Sequence, residues 1–291
     1  MTRTKIEMLT VLEVIKKTTD FFAGRGIENP RLNAEQLIGH GLGLKRMQLY
    51  LQFERPVTDL ELEAIRPLVR RRGLREPLQY VIGETEFWGL SLKTDRRSLI
   101  PRPETEYLME ILVERLETPP ASILDLGTGS GALALALARQ YADSAIMAVD
   151  QSAEALALAR ENAQATGLDQ RVTWLNSNWF GSVPAGVQFD LIVANPPYLT
   201  AAETAEAAPE VRDHEPVSAL ISAGPEALAD LSAIISEAPK YLKPRGLLAL
   251  ETGILHHAAL ADLASAVGFG RTESRQDLTG RDRYFLARIE G

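Results

Sequence analysis

The sequence predicts an α/β fold with a mostly parallel sheet, preceded by a small all-α domain. Three observations carry this. From residue 121 onward, short apolar runs alternate with helical patterns of about 10–15 residues, as strands joined by crossover helices do. The first 75 residues read as short helices with no strand-like alternation. The chain has 291 residues, 45% hydrophobic and 24% charged, which suits a globular protein of about two domains at ~150 residues each and excludes disorder as the main state.

The elements follow in order. Residues 8–22 place Val11, Leu12, Val14 and Ile15 at helical spacing. Asn29-Pro30 predicts a helix start, with Asn as N-cap and Pro in the first turn, continuing through Ala34, Leu37 and Ile38 to Gly41. Thr58 and Glu61 form a capping box ahead of Leu62, Ile65, Leu68 and Val69. Arg70, Arg71 and Arg72 close that helix, where positive charge suits the macrodipole; they read as a solvated helix end or as a binding patch. Residues 85–88 and 90–93 flank Gly89 as a β-hairpin. Pro101 and Pro103 precede a helix over 104–116. Strands are predicted at 123–126, 145–149, 172–175, 189–194, 247–251 and 284–289. Helices are predicted at 132–138, 153–163 and 227–241, the last disturbed near Pro239 and followed by a turn at 243–246. The domain organisation is thus 1–75 helical, 76–103 hairpin and linker, and 104–291 the α/β domain.

Composition narrows the chemistry. There is no cysteine, which removes disulfides, thiolate metal sites and thiol nucleophiles together. The four histidines, His40, His214, His256 and His257, have no zinc-protease spacing, and no metal is expected. Apolar runs fall far short of the ~20 residues needed to span a bilayer. Glu7 and Glu13 interrupt the start of the chain, so no signal peptide is expected and a cytoplasmic location is. Residues 1–75 hold 14 Lys and Arg against 9 Asp and Glu, a surplus of five positive charges; the remainder carries 17 against 30, a deficit of thirteen. An acidic α/β part argues against nonspecific nucleic-acid binding, and the asymmetry fits two units with different partners or simply two differently solvated surfaces.

On a parallel sheet, ligands sit beyond the carboxyl ends of the strands, so the residues just after each strand deserve the closest reading. After the first comes Asp125-Leu126-Gly127-Thr128-Gly129-Ser130-Gly131. Alternate glycines allow a sharp turn and close approach to a ligand, here a nucleoside with a small charged tail, or serve a structural turn alone. Asp150 ends the next strand and can accept from both ribose hydroxyls; the competing reading is a helix N-cap, which Ser152 could supply instead. After the third come Asn178, whose polar side chain could meet an adenine amino group, and Trp179, which could pack the ring or lie in the core. After the fourth comes Asn195-Pro196-Pro197-Tyr198. Its prolines fix the backbone, so the Asn195 side-chain oxygen and the Pro196 carbonyl form two acceptors in fixed relation, with Tyr198 as a flat face beside them. That set suits a planar NH2 group; a rigid structural loop is the bland alternative.

These stretches resemble the protein-glutamine methyltransferases that modify class 1 peptide chain release factors. The resemblance covers nearly the whole chain and is carried by residues 77–89 (PLQYVIGETEFWG), 100–106 (IPRPETE), 125–131 (DLGTGSG), 195–198 (NPPY) and 277–283 (DLTGRDR). NPPY alone is shared with adenine methyltransferases of DNA and RNA; the Pro-Glu-Thr-Glu run separates this chain from sister enzymes that methylate a ribosomal-protein glutamine. The resemblance implies a class I, Rossmann-like S-adenosylmethionine-dependent methyltransferase with an N-terminal domain that docks the release factor, acting on the glutamine of its Gly-Gly-Gln motif. It assigns cofactor binding to Asp125, Gly127, Thr128, Gly129, Ser130, Gly131, Asp150, Asn178, Trp179 and Asn195. It assigns substrate binding to Asn195, Pro196, Pro197 and Tyr198, with Asn195, Pro196 and Tyr198 catalytic. Two positions depart from the family's pattern. Asn178 stands where Asp is common, leaving an acceptor without charge, and Val217 stands where an Arg often follows the Pro. The rival readings are a ribosomal-protein glutamine methyltransferase, a nucleic-acid adenine methyltransferase and a nonenzymatic adenosine-binding module.

Overall fold

The computed structural model describes residues 8–290; Glu7 lies outside them. The chain divides into two compact units, one comprising Met1–Gly83 with Pro209–His214, the other Glu84–Ala208 with Glu215–Gly291. The helical unit therefore runs on to Gly83 rather than stopping at residue 75, and takes in a segment from far along the chain.

In the first unit, α1 (Val11–Ala23), α2 (Pro30–Leu42), α3 (Arg46–Tyr50), α4 (Asp59–Gly73) and α5 (Leu78–Ile82) enclose a core of Val11, Phe22, Leu37, Ile38, Ile65 and Val81. Each such side chain, fully buried, contributes about 1.5–3 kcal/mol. Thr58 and Glu61 form the expected capping box on α4, and Thr10 and Glu13 form another on α1. Asn29 departs from expectation: it takes a left-handed conformation (φ 48°) and its side chain caps nothing. Asn33 instead reaches back to the Glu28 and Asn29 carbonyls. The arginine run also departs from a uniformly solvated end. Arg70 is exposed, but Arg71 binds Glu76 and the Tyr80 carbonyl. Arg72 is buried against Asn33 Oδ1 (2.8 Å) and Glu210 (2.8 Å). Glu210 also pairs with Arg75 at 2.7 Å, so one carboxylate neutralises two guanidiniums and ties the distant segment into this unit.

The second unit opens with a hairpin, β1 (Glu84–Phe87) and β2 (Leu90–Lys93), turned by Trp88 and Gly89, both at positive φ. Then follow α6 (Pro103–Arg115), β3 (Ser122–Leu126), α7 (Ala132–Gln140), β4 (Ala145–Asp150), α8 (Ala153–Thr166), β5 (Val172–Asn176) and β6 (Phe189–Ala194). After α9 (Ala201–Glu206) the chain enters the first unit as α10 (Pro209–Arg212), then returns to form α11 (Ala229–Tyr241), β7 (Leu242–Glu251), α12 (His257–Ala266), β8 (Phe269–Gln276) and β9 (Asp282–Ile289). The sheet order is β5-β4-β3-β6-β7-β9-β8, with the first five strands parallel and β9 antiparallel to both of its neighbours, β7 and β8.

Side-chain alternation along the strands builds two cores. Ile123, Ala148, Leu191 and Leu247 face one layer, with Leu108 of α6 and Leu135 of α7. Leu124, Val149, Ile192 and Leu248 face the other, with Ile234 of α11 and Leu260 of α12. Two sequence expectations are corrected here. The turn expected at 243–246 is part of β7, an irregular stretch where the register against β6 shifts and Arg245 takes φ 65°. Helix α11 runs through Pro239 to Tyr241, because in the last turn a proline forfeits only one backbone bond. The short α12 and strand β8 were not anticipated at all. Among the described residues, no helix is long and apolar enough to cross a membrane.

Candidate active site

Parallel strands deliver their carboxyl ends to one edge of the sheet, and the strand order reverses around β3, with β4 on one side and β6 on the other. A cavity of about 260 Å³ lies there, lined by Asp125, Gly127, Thr128, Gly129, Ser130, Asp150, Asn178, Trp179, Asn195 and Pro197. Ten of the residues singled out from sequence thus meet in one cavity. Gly131, Pro196 and Tyr198 do not line it. A Cβ on Gly131 would lie 3.1 Å from Ala159 Cβ and 3.2 Å from Trp174, so this glycine permits close packing behind the loop.

The glycine loop hangs on backbone bonds. Gly127 and Thr128 N–H both donate to the Val149 carbonyl at 2.9 Å, and Gly129 N–H donates to Asp150 Oδ2 at 2.8 Å. Gly127 holds φ 70°, and a Cβ there would lie 3.1 Å from the Trp179 ring. Trp179 itself adopts φ 45° and donates from its indole to Asp230. Ser152 caps α8 by accepting from Ala155 N–H, while Asp150 Oδ1 accepts from Ser152 N–H at 2.8 Å. Each Asp150 oxygen thus has one protein donor, with a lone pair left for a ligand. Burial raises the Asp150 pKa above its ordinary value.

Asp125 is fully buried, and burial pushes its pKa up to about 7. Its Oδ2 accepts from Thr128 Oγ1 (2.6 Å) and Ala134 N–H (3.1 Å). Its Oδ1 has no hydrogen-bond partner among the described residues. A buried, unsatisfied carboxylate oxygen is costly to keep unless a ligand completes it. A cationic group is the natural complement, since it would restore the ionised form.

The acceptor end is wired differently. Asn195 Nδ2 donates to Thr105 Oγ1 at 2.9 Å, and Thr105 Oγ1 donates to Glu251 Oε2 at 2.7 Å. Tyr198 OH donates to Glu251 Oε1 at 2.9 Å, and the Arg283 guanidinium lies over the Tyr198 ring, 5.5 Å from its centroid. Burial, then the Glu251 charge, raise the Tyr198 pKa, which keeps the phenol a donor. Glu251 is the last residue of β7 and Thr105 lies in the first turn of α6, within the Pro-Glu-Thr-Glu run; the sequence assigns a site role to neither. The same rule that found Asp150 and Asn195, inspection of strand ends, would have found Glu251. Where an Arg would follow Pro216, Val217 is half exposed; the buried Glu215 pairs instead with Arg102 and accepts from Ile100 N–H at 3.1 Å.

A strand-order reversal, a glycine loop after β3, an acid ending β4 and an Asn-Pro-Pro-Tyr turn after β6 define a class I methyltransferase dependent on S-adenosylmethionine. The cavity fits that cofactor: the orphaned Asp125 oxygen suits its ammonium, and the Asp150 lone pairs suit its ribose. The comparisons with known proteins agree. The family description "PrmC N-terminal domain" matches residues 13–83, and "Methyltransferase small domain" matches residues 105–229. A release factor glutamine methyltransferase from Geobacter sulfurreducens is 42% identical over 288 residues, covering 98% of this chain and 99% of that one. One from Deinococcus radiodurans is 40% identical over 285 residues, covering 96% and 98%. Among solved structures, the hMettl16 catalytic domain in complex with an RNA hairpin aligns with TM-score 0.56 at 18% identity, covering 76% of this chain and 80% of that one. The 16S rRNA N2 G1207 methyltransferase of T. thermophilus, in complex with AdoMet and guanosine, aligns with TM-score 0.53 at 20% identity, covering 71% and 50%. These two share the fold. The chain belongs to the release factor glutamine methyltransferase family.

Proposed function

We propose that this protein transfers the methyl group of S-adenosylmethionine to the side-chain amide nitrogen of a glutamine in class 1 peptide chain release factors. The observation that carries the reading is Asn195: it lines the cofactor cavity while its Nδ2 is committed to Thr105, which leaves Oδ1 to accept. Bound S-adenosylmethionine supplies a methyl already activated on sulfonium. Asp125 Oδ1 would hold the ammonium of its methionyl part, Asp150 the ribose hydroxyls, Asn178 the adenine amino group, and Trp179 the ring. Gly127, Thr128, Gly129 and Ser130 form the floor against which it lies, with Gly131 supporting the loop from behind.

The difficulty is the nucleophile, because a glutamine amide lone pair is delocalised into its carbonyl. Asn195 Oδ1 and the adjoining Pro196 carbonyl each accept one N–H hydrogen, Pro197 contributes to the cavity wall, and Tyr198 stands behind it on Glu251. Two fixed acceptors orient the nitrogen and stabilise the positive charge building on it. Both acceptors are neutral, so the proton leaves to water. A release-factor substrate places the reaction in the cytoplasm. The helical unit, with Lys16, Lys17, Arg66 and Arg70 exposed, docks the intact factor; its contribution is read as a KM for the factor that rises with salt at constant kcat.

The test is incubation with isotope-labelled cofactor and purified release factors, followed by mass-spectrometric mapping. One methyl on the Gly-Gly-Gln glutamine supports the reading. Label confined to ribosomal protein or nucleic acid, or absent from glutamine, overturns it.

A further inference from the structure

We propose that Thr105 and Glu251 are positioning residues that fix which way round the Asn195 amide sits. The inference rests on the glutamine-methylation reading above and deepens it.

An asparagine amide is nearly symmetric in shape, so packing alone does little to distinguish its oxygen end from its nitrogen end; hydrogen-bond polarity decides. A threonine hydroxyl has one hydrogen and two lone pairs. Thr105 spends its hydrogen on Glu251 Oε2, 2.7 Å away, so toward Asn195 it can only accept. Asn195 must then present Nδ2, at 2.9 Å, and Oδ1 is the end left over. Glu251 is 1% exposed, and both of its oxygens act as acceptors, one from Thr105 Oγ1 and the other from Tyr198 OH. The carboxylate therefore imposes one direction on the whole chain of bonds: acceptor at Glu251, donor then acceptor at Thr105, donor at Asn195 Nδ2, acceptor at Asn195 Oδ1. Were the amide reversed, its NH2 would face the NH2 of the incoming glutamine, donor against donor. One residue of the helix after the hairpin and one at the end of β7 thus set the polarity of a group delivered by β6.

The substitutions that test this leave shape intact. Thr105→Val removes the hydroxyl; Thr105→Ser keeps it. Glu251→Gln replaces an obligate acceptor by a group with a donor end. In Thr105→Val, kcat for methyl transfer to the release factor falls about 10- to 100-fold, the range seen when an outer hydrogen-bond partner of a functional ligand is removed. Cofactor dissociation constant and factor KM stay within about twofold, because the amide acts on the reacting nitrogen rather than on remote binding. Thr105→Ser recovers most of the rate, and Glu251→Gln loses rate without a lower melting temperature. Wild-type turnover in Thr105→Val overturns the inference. So does Thr105→Ser being as slow as Thr105→Val with both melting lower, since that is the mark of a structural role. A second readout needs no substrate: the Asn195 side-chain amide signals in 15N NMR shift in Thr105→Val and Glu251→Gln and stay in place in Thr105→Ser. If the wild-type protein leaves the release factor unmodified, the glutamine reading falls and these signals alone decide; unchanged Asn195 signals in Thr105→Val then overturn the positioning role.

Discussion

Asp125 and Glu251 are both carboxylates buried at the carboxyl ends of strands in one sheet, yet they are satisfied in opposite ways. Asp125 has two donors on one oxygen and nothing on the other. Glu251 has a donor on each, Thr105 and Tyr198. On the proposed reading the first keeps an unpartnered oxygen for a ligand, and the second is saturated and acts through its neighbours. Burial raises both carboxyls above their ordinary range, so burial alone does not separate the two roles; the unfilled oxygen does.

If the two ends of the site are divided in this way, damage at each should surface in a different constant. The largest effect is expected from Asn195→Ala. Removing one positioned hydrogen-bonding group typically costs about 10²–10³ in turnover, and cofactor affinity should stay near normal. Stopped-flow or radiometric kcat beside calorimetric binding reads both.

Asp125→Asn should show the reverse. The variant keeps an acceptor for Thr128 and Ala134 and turns the open oxygen into a donor. Losing a charged partner costs ~1.5–3 kcal/mol, about 10- to 100-fold in cofactor affinity. The pH dependence sharpens this. With its folded pKa raised to about 7, Asp125 contributes stability to the ligand-free protein that is fully present below about pH 4 and lost as pH rises through about 7. Ligand-free wild type should therefore lose melting temperature relative to Asp125→Asn between about pH 4 and pH 7 and run parallel to it above that. Parallel melting curves across the lower range would argue that Asp125 is not the buried, unsatisfied acid described here.

Asp150 is intermediate, with one backbone donor on each oxygen. Asp150→Asn should weaken cofactor binding about tenfold, since one acceptor survives and about 1.4 kcal/mol is lost. An unchanged dissociation constant would leave Asp150 as a clasp for the glycine loop alone. The smallest effect is expected at Asn178, exposed at the cavity wall. Asn178→Asp should bind cofactor equally or slightly tighter, and clear weakening would mean that Asn178 does not face the adenine amino group.

Much of this was legible in the sequence for a physical reason. Asp125, the glycine loop, Asp150 and Asn195 each sit within a few residues of a strand end, and parallel strands gather such residues without further information. Thr105 and Glu251 escaped because their bond spans 146 residues, and neither pattern nor spacing reports a contact of that length. Strand β8 escaped because it is an edge strand whose side chains, Phe269 apart, are exposed or half-exposed, so FGRTESRQ shows no apolar face. Arg72 read as part of a solvated helix end because the residues that bury it, Asn33 and Glu210, are brought to it only by the fold.

The most direct measurement is the single-turnover rate of methyl transfer at saturating cofactor, with Asp125→Asn and Asn195→Ala side by side. The division of labour predicts that Asp125→Asn recovers to near the wild-type rate once cofactor saturates, while Asn195→Ala stays about 10²-fold slow or more. An Asn195→Ala protein restored by cofactor, or an Asp125→Asn protein that remains slow at saturation, would contradict it.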